Sequence, residues 1–341
     1  MPDTPPQEPT GRGLLLVRNS RSGTSVIRLD PAQEFARRLP GAEVRVLGED
    51  EDLTEVVTQA MEASPAPSVL GVYGGDGSVS RMAGLARRFD RPLLVVPGGT
   101  FNHFARSAGL DDVDAALDAF EGGRTLAVSA ISASSDGDEQ ILALNAVSLG
   151  SYPELIEKRD HDRARLGKWL GGIVAAWRTM KTAEPLTIVV DGRRARVWSV
   201  FVGIGRNEPD RVATMQRDEL TTAILDVRIH HARGSRVRAI ASLAFGRKTA
   251  AVLRVLGLMP PKEDVERLLV TEFACVVRPE PGHSTVFVHD GELADPPGSE
   301  FTLRCTAVAE AVTVYVPVTE PRDLAEAGDP APRSGRDPLS R

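Results

Sequence analysis

The stretch VLGVYGGDGS, residues 69–78, is an apolar run followed directly by three glycines around one aspartate. Val69 to Tyr73 has no polar/apolar alternation, which predicts a strand buried on both faces, and Gly74 to Ser78 predicts a tight loop at its carboxyl end. Two further runs repeat the theme. Leu14 to Arg18 (LLLVR) leads into Asn19-Ser20-Arg21-Ser22-Gly23, and Leu93 to Val96 (LLVV) leads into Pro97-Gly98-Gly99-Thr100-Phe101-Asn102. Between them, Pro31 to Leu39 can form a short helix and Glu43 to Leu47 alternates like a strand. Leu53, Val56, Val57, Ala60 and Met61 recur at helical spacing, and Asp111 to Phe120 forms a further helix. Apolar strands each followed by a helix predict a parallel sheet covered on both faces, a Rossmann-like α/β arrangement over residues 13–125.

The pattern changes after residue 125. Runs at 125–133, 141–149, 186–191, 195–203, 225–231, 267–277, 285–289, 300–308 and 311–316 read as strands separated by short turns such as Asp191-Gly192. They predict an antiparallel β-sandwich over residues 126–318. Two helices interrupt it, one carrying Trp169 and Trp177 on an apolar stripe and one from about Ser235 to Leu256. Residues 1–12 and 319–341 are Pro-rich or charged without periodicity and read as disordered tails.

The chain has 341 residues, with 41 Lys+Arg, 47 Asp+Glu and a formal net charge of −6. That balance gives no footprint for nucleic acid. No apolar run long enough to span a bilayer and no signal-peptide pattern is present, so a cytoplasmic location is expected. Cys275 and Cys305 lie in apolar runs and read as buried thiols.

Three Gly-rich or polar loops on one sheet edge are the arrangement that binds phosphate, because glycine lets backbone N–H groups approach closely. Asp76 would repel phosphate on its own and so implies Mg²⁺ as its partner; a ligand-free Asp-Gly turn is the bland alternative. Taken together, Gly74-Gly75-Asp76-Gly77-Ser78, the run from Pro97 to Arg106 (PGGTFNHFAR) and the late Asp290-Gly291-Glu292 resemble the catalytic domain of diacylglycerol and sphingosine kinases, within the wider phosphofructokinase and NAD kinase superfamily. Leu144 to Gly150 and Leu225-Asp226-Val227 fall where that family has similar elements.

The resemblance implies ATP-dependent phosphorylation of the hydroxyl of diacylglycerol or a related lipid alcohol. It implies that Asn19, Ser20, Arg21, Ser22 and Gly23 form the nucleotide loop and that Gly74, Gly75, Asp76, Gly77, Ser78, Thr100 and Asn102 surround the ATP phosphates. Asp76 would face Mg²⁺, and Glu292 would be the general base. Read without the family, Asp290-Gly291-Glu292 is a hairpin turn.

Some positions depart from the family. Ser20 stands where Pro is usual, Ser78 where Thr is usual, and His103 where an acid often follows the Asn. Leu220-Thr221-Thr222-Ala223 replaces an Asp-Asp-Gly run that helps hold a structural Mg²⁺. A catalytically inactive nucleotide- or lipid-binding homologue and an NAD kinase are the alternatives; against the latter, Asn145 is followed by Ala146 rather than an acid. The basic stretch 235–256, with Arg236, Arg238, Arg247, Lys248 and Arg254, reads either as a peripheral membrane contact or as a helix with a solvated face.

Overall fold

The computed structural model describes residues 11–19, 31–48, 50–136, 140–150, 185–206, 217, 219–232, 265–278, 287–294 and 300–318. The expected helices near 166–180 and 235–256, Trp169 and Trp177, and most of both tails lie outside the described residues.

The first half runs β1 (Leu14–Asn19), α1 (Ala32–Arg38), β2 (Glu43–Leu47), α2 (Leu53–Glu62), β3 (Val69–Gly74), α3 (Asp76–Arg88), β4 (Leu93–Pro97), α4 (His103–Ser107) and α5 (Val113–Glu121). The strands pair in parallel in the order β4-β3-β1-β2. β3 and β4 are buried at every position, which is why their sequences are apolar throughout. Asp52 caps α2, its carboxylate accepting from the Thr54 and Glu55 amides, and Asp112 caps α5 through the Ala115 amide at 2.8 Å. Such caps stabilise a helix start by about 1 kcal/mol each.

The second half runs β5 (Thr125–Ser134), β6 (Ile141–Ala143), β7 (Ala146–Gly150), β8 (Leu186–Val190), β9 (Arg193–Ile204), β10 (Leu225–His231), β11 (Val265–Val270), β12 (Glu272–Arg278), β13 (Phe287–His289), β14 (Glu292–Ala294) and β15 (Phe301–Tyr315). Its strands pair antiparallel with one another, as expected. The hairpin turns are two-residue Asp-Gly pairs with positive φ at both positions: Asp191 (48°) and Gly192 (74°), then Asp290 (45°) and Gly291 (88°). That geometry matches the twist of the flanking strands.

Four expected strands differ in detail. The 141–149 run breaks at Leu144 and Asn145, whose amides leave the ladder for the Asp290 carboxylate. The 267–277 run divides into β11 and β12 around Thr271. The runs at 300–308 and 311–316 are instead one strand, β15, which shifts register between Val308 and Val312 and has Glu310 at φ 49°.

That shift has a structural use. Phe301, Leu303 and Cys305 pack in one apolar core, whereas Ala311, Val312, Val314 and Tyr315 pack in the other. β15 also pairs in parallel with β4 at Val314 and Leu93, so one hydrogen-bonded network carries both halves. Cys275 and Cys305 are free, buried thiols in the second core. No helix among the described residues is long and apolar enough to cross a membrane.

Candidate functional site

β1, β3 and β4 are neighbours and run in the same direction, so Asn19, Gly74 and Pro97 end on one edge of the sheet. The backbone of Asn19 is described there; Ser20, Arg21, Ser22 and Gly23 lie outside the described residues. Gly75 is the N-cap of α3, and Asp76, Gly77 and Ser78 form that helix's first turn. Residues of the expected loop are therefore also helix residues, and the positive end of the helix dipole at this first turn favours negative charge.

The two glycine loops touch. A methyl group added at Gly99 would lie 2.5 Å from the Gly75 Cα, closer than any side chain permits. Asn102 secures this contact from a left-handed conformation, φ 52°. Its Oδ1 accepts from the Gly99 amide and its Nδ2 donates to the Gly99 carbonyl, both at 2.9 Å. Thr100 is exposed in the loop between them. His103, the first residue of α4, stacks on Phe101 with ring centroids 5.4 Å apart.

Glu292 arrives from the other half of the molecule. The β13–β14 turn sets it opposite His289, and its side chain lies over the first turn of α3. A methyl group at Gly77 would stand 2.5 Å from Glu292 Oε1 and 2.6 Å from its Cγ. Thus Gly77 provides the space in which a carboxylate from the antiparallel strands meets the loop from the parallel sheet. Ser80 ties the same helix to the second half, donating to the Leu142 carbonyl at 2.5 Å.

Asp290 has a different environment. It is buried, and its carboxylate accepts from the amides of Leu144, Asn145 and Ala146 at 2.5, 2.9 and 3.0 Å. Burial pushes its carboxyl up to about 6; the three amides pull it down, and the charge of Asp76 pushes it further up. Asp76 Oδ1 accepts from the Phe104 amide at 3.2 Å and faces Asn145 Nδ2 at 3.5 Å. Asn145 Oδ1 is buried without a hydrogen-bond partner.

This donor set fits Mg²⁺ in a limited sense. Asp76 and the unpartnered Asn145 oxygen are hard donors, suited to an ion that takes its remaining ligands from phosphates and water. Among the described residues, no three His, Cys, Asp or Glu side chains are grouped to hold a metal by themselves. Thr222, one of the two threonines in place of acids, donates its hydroxyl to the Glu219 carboxylate.

Three polar groups of this region carried no role in the sequence reading. Asp290 reads as a turn former until β7 and β13 are paired. Asn145 sits within an apolar run, and a polar residue breaking such a run is the signal that could have marked it. Arg217 lies in the polar run MQRDEL, which gives no sign of burial, yet only 3% of its surface is exposed.

Residues 13–133 match the family profile described as the diacylglycerol kinase catalytic domain. Two proteins named "Probable lipid kinase YegS-like", from two strains of Pseudomonas aeruginosa, are each 40% identical over 101 residues, 28% of this chain and 32% of theirs. The chain thus spans about a third of the length of these relatives in alignment. Two solved structures from Bacillus anthracis strain Sterne, both bearing the name diacylglycerol kinase, share the fold. One matches 91% of this chain and 99% of its own at TM-score 0.59 with 17% identity; the other matches 90% and 97% at TM-score 0.54 with 14% identity.

Proposed function

We propose, from the match of residues 13–133 to the profile described as the diacylglycerol kinase catalytic domain, that the protein is a lipid kinase. It transfers the terminal phosphoryl group of ATP to the hydroxyl of diacylglycerol or a related lipid alcohol. The observation that carries the reading is the seat of Glu292, whose carboxylate rests against Gly77 in the first turn of α3. A carboxylate brought to this loop from the other half of the molecule is placed to take the proton of an acceptor hydroxyl.

In this mechanism the acceptor oxygen attacks the terminal phosphorus, the bond to the departing ADP oxygen breaks, and Glu292 takes the hydroxyl proton. The amides of the Gly74–Ser78 turn and the hydroxyl of Thr100 hold the phosphates, with the Asn19–Gly23 loop beside them. Asn102 keeps the two glycine loops in register. Asp76 would hold Mg²⁺, which when bound neutralises phosphate charge. Phosphoryl transfer asks for this kind of positioning and charge neutralisation more than for covalent chemistry.

The division of labour follows the two halves: residues 13–125 as the nucleotide-binding domain, residues 126–318 as the lipid-substrate domain, catalysis between them. An acceptor dissolved in a bilayer requires peripheral membrane contact, for which the basic stretch 235–256 is the proposed segment. A binding-only role finds its support in His103, which offers no carboxylate and stacks on Phe101 instead.

The test is incubation with labelled ATP, Mg²⁺ and mixed micelles of lipid alcohols. The proposal expects a labelled phospholipid; ATP binding without product would support the binding-only role, and label in NAD would support the NAD kinase alternative.

A further inference from the structure

Arg217 is a buried cation to which the mechanism above gives no task. Its Nη1 donates to the Ser129 carbonyl at 2.9 Å and to Ser129 Oγ at 3.2 Å. Its Nε and Nη2 are buried without a hydrogen-bond partner. Burying a guanidinium with donors unmet costs stability, and an apolar side chain would fill the same space without that cost. Structural economy alone does not account for an arginine here.

Its neighbours do. The guanidinium lies over the ring of Phe104, 5.7 Å from the centroid. Phe104 is itself fully buried, and its amide is the group that donates to Asp76 Oδ1. The charge of Asp290 also acts on Arg217, opposing the effect of burial on the guanidinium. Asp290 in turn holds the amides of Leu144, Asn145 and Ala146, and Asn145 faces Asp76. Arg217 therefore packs on the residue whose amide supports Asp76, and its charge acts on Asp290 in the hairpin.

We infer that Arg217 is a positioning residue: its buried charge, set over the Phe104 ring and acting on Asp290, keeps the α3 loop and the Asp290–Glu292 hairpin at their spacing. A Lys retains the charge and a Met does not, although both are long enough to fill the site. The inference rests on the lipid kinase reading for its catalytic consequence, and its structural consequence can be read without any activity.

The experiment compares the wild-type protein with Arg217→Lys and Arg217→Met, each assayed well below its melting temperature. Arg217→Met is expected to lose about thirtyfold in kcat with KM for ATP changed by less than about threefold, and Arg217→Lys to stay within about fivefold of the wild type. Amide exchange at Phe104 and at Leu144 to Ala146 should quicken about tenfold in the Met variant while core amides such as Val57 keep their protection. The inference is overturned if the Met variant keeps its kcat, if Lys loses as much as Met, or if exchange quickens uniformly. Should Arg217→Met fail to fold, Arg217→Lys decides alone, and a loss of tenfold or more with it overturns the inference. If the wild type phosphorylates no lipid, the lipid kinase reading falls, and the exchange pattern still decides whether Arg217 holds the two loops.

Discussion

At the carboxyl edge of β3, Asp76 opens a helix, partly exposed, with Oδ1 accepting from the Phe104 amide and facing Asn145 Nδ2. At the β13–β14 turn, Asp290 is buried and its oxygens are spent on three backbone amides, and the partly exposed Glu292 follows two residues later. The parallel half thus presents its acid directly from a strand end. The antiparallel half uses one acid to fix a turn and another to reach the site. The contrast shows that position within a motif does not assign a role: burial and hydrogen bonding make Asp290 a clamp, whereas Glu292 keeps the access that its proposed role as base requires.

The largest effect that would sharpen this contrast is expected from Asp290→Ala. Three buried amides would lose their acceptor, and alanine would be forced into the positive φ of the turn. Stability should fall by about 3–5 kcal/mol, read as a lower denaturant midpoint. A loss below about 1 kcal/mol would mean that Asp290 is no clamp.

A second expectation tests whether acid sensitivity belongs to the antiparallel half. His230 is buried in β10 beside Ser199, and burial pulls its imidazole down to about 4, with Arg228 adding to the shift. Its folded pKa lies below the unfolded value near 6.5, so unfolding takes up a proton between those limits and stability falls as pH drops from 6.5 to 4. Asp290, raised to about 6, acts in the opposite sense between pH 6 and 3.8, so the comparison is with His230→Gln rather than with a flat line. Relative to that variant, the wild type should lose about 3 kcal/mol over the window. Parallel curves would remove His230 as the cause.

A smaller effect, confined to turnover, is expected where the halves meet. Gly77→Ala places a methyl group against the Glu292 carboxylate, which can swing aside. Stability should stay within about 0.5 kcal/mol while kcat drops about a hundredfold. Unchanged kcat would break the link between Gly77 and Glu292.

Much of the parallel half was legible because its strands are buried on both faces, leaving apolar runs at 14–18, 69–73 and 93–96 that end in turn residues. The loops around Asp76 and Asn102 were legible for the same reason. Other features depend on pairing far along the chain. Leu144 and Asn145 leave their strand for a carboxylate 145 residues away, and no local pattern announces that. Arg217 becomes a core residue only when Ser129 and Phe104 close around it. Glu292 was found through its resemblance to a family motif, since a residue after an Asp-Gly turn has no chemical signature until the hairpin is laid against α3.

The central claim is that Glu292 removes the proton of the acceptor hydroxyl. It is tested most directly by Glu292→Gln, assayed for phosphoryl transfer from ATP to a lipid alcohol and, separately, for ATP binding. The account predicts turnover lowered by about two to four orders of magnitude with ATP affinity within about threefold of the wild type. Turnover close to the wild-type value in that variant would contradict it.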